Sequence, residues 1–126
     1  MSKSIYLKHH ICFFFILITT QDNFEKNISK FELSDAVNLL DMSNEAASGV
    51  FTDKTIRFLF IDGDHTEAGV KKDIELFFPR LVTGSIIVFD DYFDEFPGLI
   101  AAVDELIKNN NFSRIFYYRH TLVIKI

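Results

Sequence analysis

The chain alternates short apolar runs with segments of helical period. Residues 4–18 hold one or two strand-like runs, ending in the apolar stretch from Ile11 to Ile18. Phe24, Ile28 and Phe31 then recur at helical spacing between Asp22 and Glu32, with Thr20 or Asp22 placed to cap that helix. Residues 36–40, Ala-Val-Asn-Leu-Leu, read as a strand, and Ser43 as the cap of a short helix carrying Ala46, Ala47 and Val50. Ile56 to Ile61 is a strand. After an acidic turn, Val70, Ile74, Phe77 and Leu81 mark one face of a helix, and Gly84 closes that segment. Ser85 to Phe89 is a continuous apolar run, as in a strand covered on both faces. Pro97 and Gly98 open a helix running to about Lys108, with Ile100, Val103 and Ile107 on one side. Two final runs, Phe112 to Tyr118 and Thr121 to Ile126, are separated only by Arg119 and His120. So tight a connection demands an antiparallel hairpin.

Alternation of strand and helix predicts the α/β class, with a mainly parallel sheet, helices on both faces and a C-terminal antiparallel hairpin. Residues 1–126 are one domain, of which 1–20 form a divergent N-terminal segment.

Composition narrows the setting. Of 126 residues, 48% are hydrophobic and 15 are Phe, which argues for a packed body and against disorder. A net charge of −5 with no basic patch disfavours a nucleic-acid partner. Cys12 has no second cysteine to pair with and no histidine at zinc spacing, so a reducing, cytoplasmic location is expected. The N-terminus has two readings. Lys3 and Lys8 before the run from Ile11 to Ile18 resemble a signal or anchor segment; the same run also reads as a buried strand. It is too short to span a bilayer, so no membrane partner is expected.

The chemistry concentrates where two strands end. Asp62, Asp64 and His65 follow one strand, and Asp90 and Asp91 follow the next. Open α/β sheets bind ligands beyond the carboxyl ends of their strands. Carboxylates converging there from neighbouring strands repel one another, and a hard divalent cation with oxygen ligands offsets that repulsion. The bland reading stands beside it: Asp64, Thr66, Asp91 and Asp94 are all common turn and cap residues. His65 on its own fits a base, a substrate contact or a hydrogen-bonded turn residue equally.

At these residues a resemblance becomes specific. The stretch Phe58 to Ile107, with Asp62-Gly63-Asp64-His65, the helix Gly69 to Phe77 and the acid pair Asp90-Asp91, resembles the class I S-adenosylmethionine-dependent methyltransferases of the small-molecule O-methyltransferase type. The likeness covers roughly residues 20 to 126 and implies a Rossmann-like fold. It implies that Asp62, Asp90 and Asp91 hold Mg²⁺. It implies that Asp62 and His65 are catalytic, and that Met42, Ser43, Asn44 and Asp62 contact S-adenosylmethionine. The implied acceptor is a small hydroxylated molecule whose oxygen, activated by the metal, attacks the sulfonium methyl in line.

The departures from the family pattern carry their own expectations. No glycine precedes Gly49, so the usual first strand and its glycine-rich loop are lacking, as in an N-terminally truncated member. Where the second strand should end in an acid, Lys8, His9 and His10 stand instead. Gly84-Ser85 replaces a Gly-Gly turn, and Glu67 replaces a common aromatic. A missing central strand leaves an open sheet edge. The run 11–18 fills it, another chain supplies the missing half or a homo-oligomer covers it, or the chain is a fragment. Two alternatives accompany the methyltransferase reading. One is a haloacid-dehalogenase-like Mg²⁺-dependent phosphatase with Asp62 as nucleophile, Asp64 as acid/base and Lys108 as a poor lysine. The other is a nonenzymatic remnant whose acids are only caps.

Overall fold

The computed structural model describes residues 3–7, 12–17, 21–51 and 54–126. In chain order these form β1 (Lys3–Leu7), β2 (Cys12–Leu17), α1 (Gln21–Lys30), β3 (Val37–Leu40), α2 (Asn44–Ser48), β4 (Ile56–Asp62), α3 (Glu67–Phe77), β5 (Leu81–Phe89), α4 (Pro97–Asn109), β6 (Arg114–Tyr118) and β7 (Thr121–Lys125). The strands make one sheet in the order β3-β1-β2-β4-β5-β7-β6.

The centre is parallel. β2 pairs with β4, and β4 with β5, in the same direction. Cys12–Leu17 of the N-terminal apolar run is therefore a strand, and it takes the place beside β4 where an open edge was expected. Lys8, His9 and His10, which stand where the family pattern has an acid, lie outside the described residues. β1 runs against both its neighbours. The reason is the four-residue link, 8–11, to β2: a parallel pair needs a crossover of a dozen residues or so. At the other end β7 runs antiparallel to β5, and β6 folds back on β7 across Arg119 and His120. That hairpin is the one expected.

One helix ends earlier than its period suggests. α3 stops at Phe77, a 3₁₀ turn spans Phe78–Arg80, and Leu81 opens β5. Pro79 explains this, since it lacks the N–H that the next helical bond needs and its ring clashes with the preceding turn. Leu81 kept the spacing of the helical face but pairs with Ile56 on β4. Gly84 does not close the helix. It sits inside β5 at φ +82, where the register with β4 shifts between Ile56 and Phe58, and its N–H bonds Ile126 O at 2.9 Å. A side chain would strain that backbone, so glycine permits the bulge.

α2 packs on α3 and α3 on α4, and this layer buries one face of the sheet. Leu59 and Ile61 of β4, Ile87 and Phe89 of β5, and Leu122 and Ile124 of β7 meet Val70, Phe77, Leu99, Val103 and Leu106 from the helices. The opposite side of β4 is only half-buried at Phe58 and Phe60, whereas β5 is buried at Ser85 and from Ile87 to Phe89, in keeping with its continuous apolar run. α1 contributes little: Phe24 and Ile28 are half-buried and the rest of its described side chains are exposed. Among the described residues, no helix is long and apolar enough to cross a membrane.

Candidate functional site

The acidic turns lie side by side because β4 and β5 are neighbours in register. Ile61 pairs with Phe89, and Asp90 N–H continues the ladder to Ile61 O at 3.0 Å. Asp62 and Asp90 thus leave the sheet together at its carboxyl edge, where ligands bind in such folds.

Each side chain there has a distinct job. Asp64 turns back on its own loop, accepting from Thr66 N–H at 2.9 Å. Thr66 caps α3, its Oγ1 accepting from Gly69 N–H at 3.1 Å. For these two the turn-and-cap reading holds. Asp90 is held by β7, its Oδ1 accepting from Thr121 Oγ1 at 3.0 Å. Asp91 sits at φ 56, a left-handed backbone that a non-glycine residue adopts at a cost of about 1–3 kcal/mol and that is common at functional sites.

Asp62, His65 and Asp91 converge. One donor atom from each lies within 4.8 Å of the other two. His65 Nε2 stands 3.9 Å from Asp62 Oδ1 and 3.5 Å from Asp91 Oδ2, is shielded from solvent, and has no hydrogen-bond partner. Its ring leans on Phe96, with centroids 4.3 Å apart. Burial first, and then the charges of Asp90 and Asp91, push the Asp62 carboxyl above its ordinary range, and His65 offsets this in part. Like charges held together beside an orphaned imidazole nitrogen make a donor set that a divalent cation fits.

Two clefts flank this cluster. One, of about 860 Å³, opens between the β5 end and the hairpin, lined by Asp90, Asp91, Phe93, Tyr117, Arg119 and His120 among others. Phe93 and His120 stack on its wall with centroids 4.2 Å apart. The other, of about 230 Å³, lies between α2 and α3 and includes Ser43, Asn44, Glu45, Asp64, Lys72 and Asp73. Of the residues expected to contact a cofactor, Ser43 and Asn44 line it; Met42 packs half-buried against the core instead. Ser43 also caps α2, its Oγ accepting from Ala46 N–H at 3.3 Å.

Asp73 was not foreseen. It is buried in α3, and Asn44 Nδ2 donates to its Oδ1 at 2.6 Å. Burial pushes its carboxyl up to about 6, with smaller contributions from Asp64 and Glu45 and an opposing one from the Asn44 bond. A signal existed, because Asp73 falls between Val70 and Phe77 on the apolar face of its helix.

The sequence profile of a family described as a methyltransferase domain matches residues 6–92. The chain belongs to this methyltransferase family. A curated but uncharacterized protein of Acanthamoeba polyphaga mimivirus is 29% identical over 110 residues, covering 82% of this chain and 50% of its own length. Among solved structures, the O-methyltransferase NovP superposes with a TM-score of 0.62 at 19% identity, over 87% of this chain and 46% of its own. A candidate rRNA methylase from Clostridium thermocellum gives 0.59 at 17% identity, over 83% and 69%. The chain thus spans about half the length of the curated relative and of NovP. These likenesses confirm the Rossmann-like methyltransferase fold and set the phosphatase alternative aside. The geometry agrees: Asp64, that reading's acid/base, is tied to Thr66, and Lys108 lies in the last turn of α4, about 16 Å along the helix from Pro97 at its start.

Proposed function

We propose that this methyltransferase domain transfers the methyl group of S-adenosylmethionine to a hydroxyl oxygen of a small molecule, assisted by a divalent cation such as Mg²⁺. The observation that carries the reading is that Asp91 belongs both to the Asp62–His65–Asp91 cluster and to the wall of the large cleft. A hydroxyl bound in that cleft lies against the cluster. The O-methyltransferase NovP, which shares the fold, supports oxygen as the acceptor atom.

The residues divide the work by position. Asp62 and Asp91 would hold the cation, with His65 as the nitrogen beside them. Asp90, fixed by Thr121, adds negative charge from just outside. The cation supplies Lewis acidity, lowering the pKa of a bound hydroxyl. Phe93 and His120 offer an aromatic wall for the body of the acceptor. On the other side of the β4 end, Asn44, Asp64 and Lys72 present amide, carboxylate and ammonium groups suited to the nitrogens of a purine, and Ser43 stands beside them. As the methyl moves from sulfur to oxygen, the hydroxyl proton leaves through the open, acidic cleft, and demethylated cofactor remains.

A thermal melt of the purified chain with Mg²⁺ and S-adenosylhomocysteine together tests this. A cooperative transition raised by the pair supports the reading, because only ligands of the folded state stabilise it. A cooperative transition indifferent to both means that the fold persists without the function.

A further inference from the structure

We propose that His65 is a direct ligand of the cation, so that the site ranks Mn²⁺ and Co²⁺ above Mg²⁺. The inference rests on reading Asp62 and Asp91 as a cation site and concerns which ion they take.

The geometry of one nitrogen leads to it. His65 Nε2 is buried without a hydrogen bond, although two carboxylate oxygens stand 3.5 and 3.9 Å away. Those separations are too long for hydrogen bonds, which close to about 2.7–3.2 Å. They suit atoms that share an ion. Ligands about 2.1 Å from a common octahedral centre lie about 3.0 Å apart when adjacent and about 4.2 Å apart when opposite. Both observed distances fall between those limits.

The ring is also held in place. Phe96 packs on it at 4.3 Å, and α4 presses on the loop from behind: a Cβ on Gly98 would lie 3.1 Å from His65 O. Asp91, with its left-handed backbone, turns its carboxylate toward the same point. Asp90, the adjacent acid, accepts from Thr121 at Oδ1, and the donor atoms that converge are those of Asp62, His65 and Asp91.

Chemistry then decides the ion. Mg²⁺ demands oxygen ligands and keeps its waters, whereas imidazole favours first-row transition ions, with affinity rising from Mn²⁺ to Co²⁺. Two carboxylates and one imidazole form such a mixed set, and the open cleft leaves room for an acceptor oxygen.

The test is titration of the untagged full chain with Mn²⁺, Co²⁺ or Mg²⁺ alone, without cofactor or acceptor. Mn²⁺ binding is read by loss of its free-ion paramagnetic resonance signal, and Co²⁺ by its visible absorption. The expected result is Mn²⁺ and Co²⁺ binding at least about ten-fold tighter than Mg²⁺. His65→Gln, checked for an unchanged melt, should bring that ratio close to one and bleach the Co²⁺ spectrum, while Asp62→Asn abolishes binding of all three. Mg²⁺ binding as tightly as Co²⁺, an unchanged ratio in His65→Gln, or no binding of any ion each overturns the proposal. Because neither S-adenosylmethionine nor a substrate is present, failure of methyl transfer leaves this result intact, and failure here leaves methyl transfer to be measured separately.

Discussion

Asn44 and Asp73 are joined by a 2.6 Å hydrogen bond that spans 29 positions of sequence and ties the start of α2 to the middle of α3. The bond lines the smaller cleft, and it only partly offsets the burial of a carboxylate that is 4% exposed. Burial raises the Asp73 carboxyl to about 6 from 3.8, so the folded state holds a proton that the unfolded chain releases. Its ionisation is therefore a cost to folding that is full above about pH 6 and vanishes as pH falls toward 4. Asp73→Asn keeps an oxygen for Asn44 and removes the charge. It should stabilise the chain at pH 7.5, by at most about 3 kcal/mol, the equivalent of the shift. Urea unfolding of both proteins at pH 7.5 and pH 4.5 checks this: the gap should shrink at the lower pH, and a constant gap would point to packing instead of charge.

Gly98 is where α4 meets the acidic turn. A Cβ there would lie 2.6 Å from Glu67 N and 3.2 Å from Thr66 C, and backbone cannot give way as a side chain does. Gly98→Ala should cost about 1–3 kcal/mol, in the range of other overpacking changes. Because the strain falls on the loop carrying His65, cation affinity should fall along with the denaturation midpoint. Calorimetry with Mn²⁺ on the same samples measures both.

Thr121 donates to Asp90, whose charge bears directly on Asp62. Thr121→Val removes the hydroxyl, should cost about 1 kcal/mol for the lost hydrogen bond, and should leave cation affinity unchanged or higher, since Asp90 keeps its charge and loses a donor that competes for its lone pairs. A fall in affinity would mean that Asp90 needs Thr121 in order to serve as a ligand, as the family resemblance implies. Isothermal titration of the variant against the unaltered chain distinguishes the two.

Much of this site was legible because its signals are local. An apolar run followed at once by Asp62 or Asp90 marks a strand end, and a two-residue gap at Arg119–His120 forces a hairpin. What escaped notice depends on contacts remote in sequence. Leu81 obeys the helical period yet pairs with Ile56, because Pro79 ends the helix before it. Nothing near Asp90 announces that Thr121 will claim it, and nothing near His65 tells which of three acids its nitrogen will face. The reversal of β1 was hidden for a different reason: direction is set by the short link to β2, while apolarity alone says only that both are strands.

β6 is the last strand of the sheet, and its outer edge has no neighbour among the described residues. All five of its residues are exposed, with Ile115 at 45%, Phe116 at 51%, Tyr117 at 58% and Tyr118 at 69%. Ile115 and Tyr117 share one face, and Phe116 and Tyr118 the other, so both faces of the edge are apolar. Such an edge offers unpaired backbone and sticky side chains together, which drives strand-to-strand association. A homo-oligomer is one of several covers the sequence allows for the edge beside β4; with β2 in that place, β6 is the edge where self-association would form. Phe116→Lys places a charge on the edge without touching the buried residues of β7, and stability should change by no more than about 0.5 kcal/mol. Sedimentation velocity across a concentration series should show self-association in the unaltered chain and its loss in Phe116→Lys. Unchanged sedimentation would clear this edge of any part in assembly.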